Sequence, residues 1–289
     1  MANTRRQFLK HALGAAACSA TRLVVADEPA ALPPLVDTHV YLGHWPHELL
    51  TSEHPARLAE DLRSSGVTHA CAGSFDGLFH KDVAGVNQRL AGACAKFGDG
   101  LFIPIGTVNP NLPDWENDVR HCHEVHNMPG VRLHPNYHGY TLDDPRFAQL
   151  LKLAGERNLV VQIVVQMERQ KHLLLNPHTE TVNLAPLPKV LADNGKVKVV
   201  LANAFEKAND KNTRPLLSNS SIWLDFAQAQ SSAELSQLSQ ASVDHLVFGS
   251  GAPLNNIEAT AAKLRRAAIT EGNLKAVAAG NAVNLFKKL

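Results

Sequence analysis

The sequence predicts an α/β fold, a (β/α)8 barrel of the TIM type, over most of its 289 residues. Short β-branched and apolar runs recur along the chain, and stretches with helical periodicity separate them. Eight such runs can be counted, which favours a closed barrel of parallel strands over an open sheet. A nucleotide-binding open sheet is the alternative, but the sequence has neither its Gly-x-Gly-x-x-Gly turn after the first run nor a Gly-x-x-x-x-Gly-Lys loop.

Each predicted strand is a short apolar run between residues that commonly end strands, such as Gly, Pro, Asn and Asp. In chain order the strands are predicted at 35–41, 67–73, 102–108, 130–134, 160–166, 197–203, 221–226 and 245–250. Amphipathic periodicity predicts helices at 54–65, 82–97, 113–127, 145–157, 186–193, 209–218, 231–240, 255–270 and 273–288. The longest irregular stretch, 168–185, is expected to cover one end of the barrel.

The first 26 residues read as an export signal that precedes the barrel. Residues 4–10, Thr-Arg-Arg-Gln-Phe-Leu-Lys, resemble a twin-arginine signal, and an Ala-rich apolar segment follows at 12–20. We therefore expect cleavage after Ala20 or Ala26, a periplasmic or extracellular location, and one barrel domain at 27–289. A weak lipobox-like run before Cys18 leaves lipid anchoring as an alternative.

Charge and composition exclude several classes of function. Without residues 1–26, which hold four basic and no acidic residues, the formal net charge changes from +1 to −3. No broad positive field is left to attract nucleic acid. No apolar run is long enough to span a membrane, and the four cysteines form no Cys-x-x-Cys pair. The expected partner is a small-molecule substrate or ligand.

Candidate functional residues lie at the carboxyl ends of the predicted strands, where the loops of such a barrel meet. Alternation along the first strand places Asp37, His39 and Tyr41 on one side, opposite to Val36 and Val40. The same alternation points further polar side chains into the lumen, namely Arg132, His134, Gln162, Gln166, Asn203 and Asp225. The alternative is a structural polar layer whose members only satisfy one another.

Several of these segments resemble the amidohydrolase-related barrels of amidohydrolase family 2, which include sugar lactonases and metal-dependent decarboxylases. The opening run Val-Asp-Thr-His-Val-Tyr-Leu-Gly at 36–43 resembles a first strand that reads Asp-x-His-x-His in that family. Similar segments follow in the same order at 130–135, 161–164, 199–203, 248–253 and 280–286. The resemblance implies the same barrel and the chemistry of that group.

Most metal ligands that the resemblance implies are missing from this sequence. Relatives hold a divalent ion, usually zinc, on two first-strand histidines, a fifth-strand His, sometimes a sixth-strand His, and an eighth-strand Asp. Only His39 is retained, and Tyr41, Val164, Asn203 and Gly251 stand at the other positions. A catalytic zinc site needs about three protein ligands. We therefore expect no cofactor, and zinc or another divalent metal is implied by the resemblance alone.

The function expected from these residues is hydrolysis of a small lactone, ester or amide by a metal-independent route. His39 or Asp225 is the candidate general base and His134 the candidate acid. Substrate contacts are expected from seven residues, namely Tyr41, Trp45, Arg132, Gln162, Gln166, Glu168 and Asn203. Two alternatives remain open: an inactive barrel that binds a small sugar or carboxylate, and a lyase of the decarboxylase type.

Overall fold

The computed structural model describes residues 32–167, 180–195, 197–204, 216 and 218–287. The predicted export signal at 1–26, most of the predicted helix 209–218, and residues 168–179 of the predicted covering loop lie outside the described residues. The strands are β1 (Leu35–Leu42), β2 (Val67–Ser74), β3 (Phe102–Pro104), β4 (Gly106–Thr107), β5 (Gly130–Leu133), β6 (Val160–Val164), β7 (Val199–Ala202), β8 (Ile222–Asp225) and β9 (Leu246–Val247).

All pairings between these strands are parallel, in the order β1-β2-β3 and β4-β5-β6-β7-β8-β9. β3 and β4 are two parts of the third barrel strand, because the intervening Ile105 N–H donates to the Ala72 carbonyl at 2.8 Å. The chain after β9 returns to β1, where Thr38 N–H donates to Phe248 O at 2.9 Å and Gly251 N–H to His39 O at 2.8 Å. The ring of eight strands is thereby closed, which confirms the predicted (β/α)8 barrel.

Eleven helices lie in the described part of the chain. They are α1 (Pro55–Ser64), α2 (Asp76–Phe79), α3 (Val83–Gly98), α4 (Trp115–Glu124), α5 (Pro135–His138), α6 (Pro145–Glu156), α7 (Leu187–Asn194), α8 (Ser232–Ser242), α9 (Ile257–Arg265), α10 (Glu271–Lys275) and α11 (Asn281–Leu285). A π-helical stretch, Ala276–Gly280, joins α10 to α11. The single-turn helices α2 and α5 were not predicted, because one turn is too short to show a periodicity. No helix in this part of the chain is long and apolar enough to cross a bilayer.

Local signals explain where the longer helices begin. α6 begins with Pro145, whose missing N–H costs nothing in a first turn, and the Asp144 side chain accepts from Arg146 N–H at 2.8 Å. α9 begins after Asn256, whose side chain accepts from Ala259 N–H at 2.8 Å. These caps satisfy backbone N–H groups in the first turn and so fix where the two helices begin.

Two apolar clusters fill the barrel at its opposite ends. The amino-end cluster contains Val36, Cys71, Ile105, Val160, Val200, Val247, Ala282, Leu285 and Phe286. The carboxyl-end cluster contains Tyr41, Trp45, Phe75, Leu78, Val164, Met167 and Ala202. The polar side chains predicted to face the lumen lie between or within these clusters.

The first strand departs from simple alternation. Val36 packs in the amino-end cluster, whereas Val40 packs in the outer core against the helices. The prediction that these two residues share one side of the strand is therefore wrong. The physical reason is a register shift in the pairing of β1 with β2 between Asp37 and Val40.

Candidate active site

His39 and Asp225 form a buried pair at the carboxyl ends of β1 and β8. The distance from His39 Nδ1 to Asp225 Oδ2 is 2.8 Å, and both side chains are almost fully buried. Asp225 Oδ1 also accepts from the Asn203 backbone N–H at 3.0 Å, which holds the carboxylate in place. Because a carboxylate oxygen can only accept, Nδ1 carries the hydrogen and Nε2 presents a lone pair. His39 Nε2 is buried and has no hydrogen-bond partner.

The electrostatic surroundings of His39 favour the neutral imidazole. Burial lowers the pKa of His39, while the hydrogen bond and the charge of Asp225 act in the opposite direction. A neutral imidazole with a free Nε2 can accept a proton, and Asp225 then stabilises the imidazolium that forms. The pair therefore has the arrangement that a general base requires, and the role of either residue as the base stays a prediction.

A second buried pair joins Tyr41 and His134. The Tyr41 hydroxyl lies 2.9 Å from His134 Nε2, and the Tyr41 ring stacks on Phe75 with centroids 4.7 Å apart. Burial, and then the neighbouring His138, lower the pKa of His134 well below its usual range. The predicted role of His134 as an acid requires a protonated imidazole, which this environment disfavours. Tyr41 connects the two pairs, because its ring centroid also lies 5.3 Å from that of His39.

Arg132 and Gln162 brace the barrel wall, in contrast to the substrate contact expected of them. Arg132 Nη1 donates to Val40 O at 2.7 Å, and Nη2 to Thr38 O at 3.3 Å and Cys71 O at 3.0 Å. Arg132 Nε donates to Gln162 Oε1 at 2.8 Å. Gln162 Nε2 in turn donates to Thr38 O at 2.8 Å. With these donors used by backbone and side-chain acceptors, Arg132 has no bidentate face to offer a substrate carboxylate.

The other expected contacts fall in different places. Trp45 is 1% exposed and packs in the carboxyl-end cluster, 5.1 Å from the Phe75 ring, so it is a packed loop aromatic. Asn203 has the left-handed φ of 55°, and its buried Oδ1 has no partner. Gln166 is nearly buried, with Oε1 accepting from the Thr181 hydroxyl at 3.5 Å. Glu168 lies outside the described residues.

Asp37 is a site residue to which no role was given from the sequence. Its Oδ1 accepts from the backbone N–H groups of His39 and Ser250, each at 3.0 Å. Burial raises its pKa to about 7. Asp37 therefore fixes the backbone of His39 beside the segment that follows β9. Alternation had placed Asp37 on the same side of the strand as His39, but it could not show that the carboxylate accepts from the backbone of Ser250.

A closed parallel barrel with a His–Asp pair at its strand ends defines the class of protein as a TIM-barrel protein with an enzyme-like site. The family model described as amidohydrolase (Amidohydro_2) matches residues 36–288, so the chain belongs to the amidohydrolase 2 family. This confirms the resemblance seen in the sequence. No curated protein matches the chain.

Solved structures share the fold over nearly their whole length. 5-Carboxyvanillate decarboxylase LigW2 from Novosphingobium aromaticivorans, with bound manganese, is 14% identical, with 88% of this chain and 97% of that chain covered and a TM-score of 0.70. An uncharacterized TIM-barrel protein from Bordetella bronchiseptica is 12% identical, with 89% and 99% covered and a TM-score of 0.69. 2,6-Dihydroxybenzoate decarboxylase from Rhizobium is 12% identical, with 88% and 99% covered and a TM-score of 0.64.

The described residues of this chain do not fit a metal of the kind found in such relatives. They contain no group of three His, Cys, Asp or Glu side chains that could hold an ion. His39 uses Nδ1 on Asp225, and neither Val164 nor Gly251 carries a donor side chain. Manganese in two of the solved relatives makes a metal plausible for the family. The expectation that this chain needs none stays a prediction.

Proposed function

We propose that the chain is a lyase of the decarboxylase type that acts on a small hydroxylated aromatic carboxylate. The observation that carries this proposal is the 2.8 Å contact between His39 Nδ1 and Asp225 Oδ2, with His39 Nε2 buried and without a partner. The decarboxylases among the solved relatives support the lyase over the hydrolase that the sequence first suggested.

The His39–Asp225 pair can move the proton that decarboxylation requires. In a substrate whose hydroxyl neighbours the carboxylate, His39 Nε2 accepts the phenolic proton and delivers it to the ring carbon that bears the carboxylate. The carbon–carboxylate bond then breaks, its electron pair returns to the ring, and carbon dioxide leaves. The products are a phenolate and carbon dioxide, and water protonates the phenolate. Asp225 stabilises the intermediate imidazolium.

The aromatic side chains near the pair are already packed on one another. Phe75 contacts both Tyr41 and Trp45, with centroids 4.7 and 5.1 Å apart, and all three rings are at most 1% exposed. A substrate ring would therefore have to displace this packing in order to stack there. Because the donors of Arg132 are already used within the barrel wall, its guanidinium does not hold the substrate carboxylate.

The test measures the release of carbon dioxide from 2,6-dihydroxybenzoate and from 5-carboxyvanillate. Each substrate is assayed both with and without added manganese. We expect turnover by the unaltered protein and a loss of at least about 100-fold in His39→Gln and Asp225→Asn, the range of general acid–base catalysis. His80→Gln, which changes an exposed histidine, is the matched control and should retain full activity. Turnover that persists in His39→Gln would exclude the proposed base.

A binding protein without catalysis is the second candidate, and the loss of most metal-ligand residue types favours it. The described residues contain no group of three His, Cys, Asp or Glu side chains that could hold a catalytic ion. Thermal shift and calorimetry with the same two carboxylates and with sugar lactones separate the candidates. Saturable binding with no product indicates the binding protein. Hydrolysis of a lactone that depends on His39 instead supports the hydrolase.

Export through the twin-arginine pathway is a separate proposal, based on residues 4–10. It is tested by fractionation of expressing bacteria and by sequencing the amino terminus of the mature protein. Joint replacement of Arg5 and Arg6 by Lys should retain the protein in the cytoplasm. Recovery of the full-length chain from the cytoplasm of unaltered cells would contradict the proposal.

A further inference from the structure

A cavity of about 310 Å³ lies at the amino-terminal end of the barrel, opposite to His39 and Asp225. Its walls come from residues just before β5, β6 and β7 and from the end of α11, including Met128, Arg157, Lys198 and Phe286. Because the amino-end cluster separates this cavity from the His39 pair, it is a site of its own.

The cavity wall carries basic side chains, and no Asp or Glu lines it within the described residues. Lys198 Nζ donates to Asn284 O at 3.1 Å and Leu285 O at 3.2 Å. One of the three ammonium hydrogens is therefore left to donate to a ligand. Burial, and then the charge of Lys287, lower the pKa of Lys198. Two ammonium groups therefore face a shared space, and an anion there would relieve their repulsion.

Arg157 adds an unused donor to the same wall. Its Nη1 donates to Leu153 O at 3.2 Å, and its terminal nitrogens lie 3.6 Å from Glu124 and 3.8 Å from Glu156. Neither glutamate lines the cavity. Arg157 Nε is buried and has no hydrogen-bond partner, an arrangement that is unfavourable for a guanidinium donor unless something accepts from it.

Apolar side chains close the base of the cavity. Met128, Leu159, Leu285 and Phe286 line it but are at most 2% exposed, so the basic groups form most of its open surface. An apolar cavity of about 150 Å³ is already large enough to bind benzene. The larger volume here has room for one ring together with an anionic group.

We infer that this cavity binds a small organic anion. The carboxylate or phosphate group would accept from Lys198, Lys287 and the Arg157 guanidinium, while the body of the ligand fills the rest of the cavity. Since Lys198 holds the last carbonyls of α11, such a ligand would also tie the start of β7 to the carboxyl-terminal helix. Occupancy should therefore raise the thermal stability of the protein. The inference does not depend on the proposed lyase activity.

The experiment is calorimetric titration of the full chain with phenyl phosphate, benzoate and inorganic phosphate, together with thermal shift. We expect saturable binding of an organic anion that is tighter than that of inorganic phosphate. Arg157→Gln and Lys287→Gln should each weaken binding roughly tenfold, the size expected for loss of one charged hydrogen bond. Lys287 is exposed and does not share the hydrogen bonds that Lys198 donates to the end of α11. The Lys287→Gln variant should therefore fold even if a Lys198 variant does not.

Two matched controls define the outcome. Lys152→Gln removes an exposed positive charge from α6 outside the cavity and should leave binding unchanged. His39→Gln should also leave it unchanged, which separates this cavity from the site of the proposed function. Absence of saturable binding, equal weakening by Lys152→Gln, or loss of binding only in His39→Gln would each overturn the inference.

Discussion

Burial decides the charge of single histidines in the barrel. It lowers the pKa of His39, His134 and His138, so each is neutral when folded near pH 7. In the unfolded chain the same side chains bind protons once the pH falls below about 6.5. The unfolded state then holds more protons, so the stability that the neutral histidines contribute is present above that pH and is lost as the pH decreases.

We therefore expect these histidines to lower the free energy of unfolding between pH 7 and pH 5, by up to about 1.4 kcal/mol per histidine for each pH unit below 6.5. Asp37 acts in the opposite direction, because burial raises its pKa to about 7 and the folded chain then holds a proton that the unfolded chain has lost, so the net decrease is smaller. Urea denaturation at several pH values measures this. His138→Gln should reduce the slope, because it removes one of the buried groups that titrate on unfolding. His80→Gln, at an exposed position, should leave the slope as it is. A slope identical in all three proteins would show that His138 is not the titrating group.

Gly73 is required by the position of the Arg132 guanidinium. A Cβ atom at residue 73 would lie 2.7 Å from Arg132 Nη1, and that guanidinium is held by three backbone carbonyls. Arg132 cannot move aside without losing these bonds. Gly73→Ala should therefore reduce the free energy of unfolding by about 1–3 kcal/mol.

Gly92→Ala is the control for this change. A Cβ at residue 92 in α3 meets no atom within 4 Å, so this substitution should be neutral or stabilise the helix by up to about 1 kcal/mol. Chemical denaturation followed by circular dichroism compares the two variants. A Gly73→Ala variant as stable as Gly92→Ala would mean that Arg132 has freedom that its hydrogen bonds do not indicate.

At the scale of elements, the third barrel strand depends on a helix to complete its hydrogen bonding. Asn87 of α3 donates through Nδ2 to Thr107 O at 2.9 Å, and its Oδ1 accepts from Thr107 N–H at 2.8 Å. The interruption at Ile105 leaves β4 only two residues long. The side-chain amide of Asn87 therefore pairs with both backbone groups of Thr107, as a residue of a neighbouring strand would.

Replacing Asn87 by Leu keeps the side-chain size but leaves two buried backbone groups unpaired. We expect a loss of roughly 2–6 kcal/mol in the free energy of unfolding, at about 1–3 kcal/mol for each of the two unsatisfied groups. Denaturant titration measures the loss. Asn117→Leu, at an exposed position of α4, should change stability by less than about 0.5 kcal/mol. Similar values for both variants would refute the bracing role of Asn87.

At the scale of the whole molecule, the barrel of the amidohydrolase 2 family is combined with a metal-ligand set that is reduced to His39 in the described residues. We expect the purified protein, dialysed after exposure to manganese or zinc, to retain much less than one metal ion per chain. Elemental analysis by mass spectrometry measures the content, with the His39→Gln variant as control. One ion per chain that is lost in His39→Gln would show that this residue still ligates a metal.

Prediction from the sequence was most accurate for the elements and least accurate for the roles of site residues. All eight barrel strands were located, although the strand predicted at 245–250 is reduced to Leu246–Val247. His39 and Asp225 were identified as candidates without knowledge that they touch. Arg132 was also identified as a site residue, but the role predicted for it was contact with the substrate. Its position in the sequence does not reveal that backbone carbonyls surround its guanidinium.

Residue types and short-range periodicity are enough to predict the alternation of strands and helices, the polar lumen and the loss of the metal-ligand residue types, because these properties are local. The contact of His39 with Asp225, 186 positions away, could be seen only in the folded barrel. The same holds for the hydrogen bonds of Arg132 to Thr38, Val40 and Cys71. Whether a donor or a lone pair is available depends on contacts between distant segments, and these contacts form when the barrel closes.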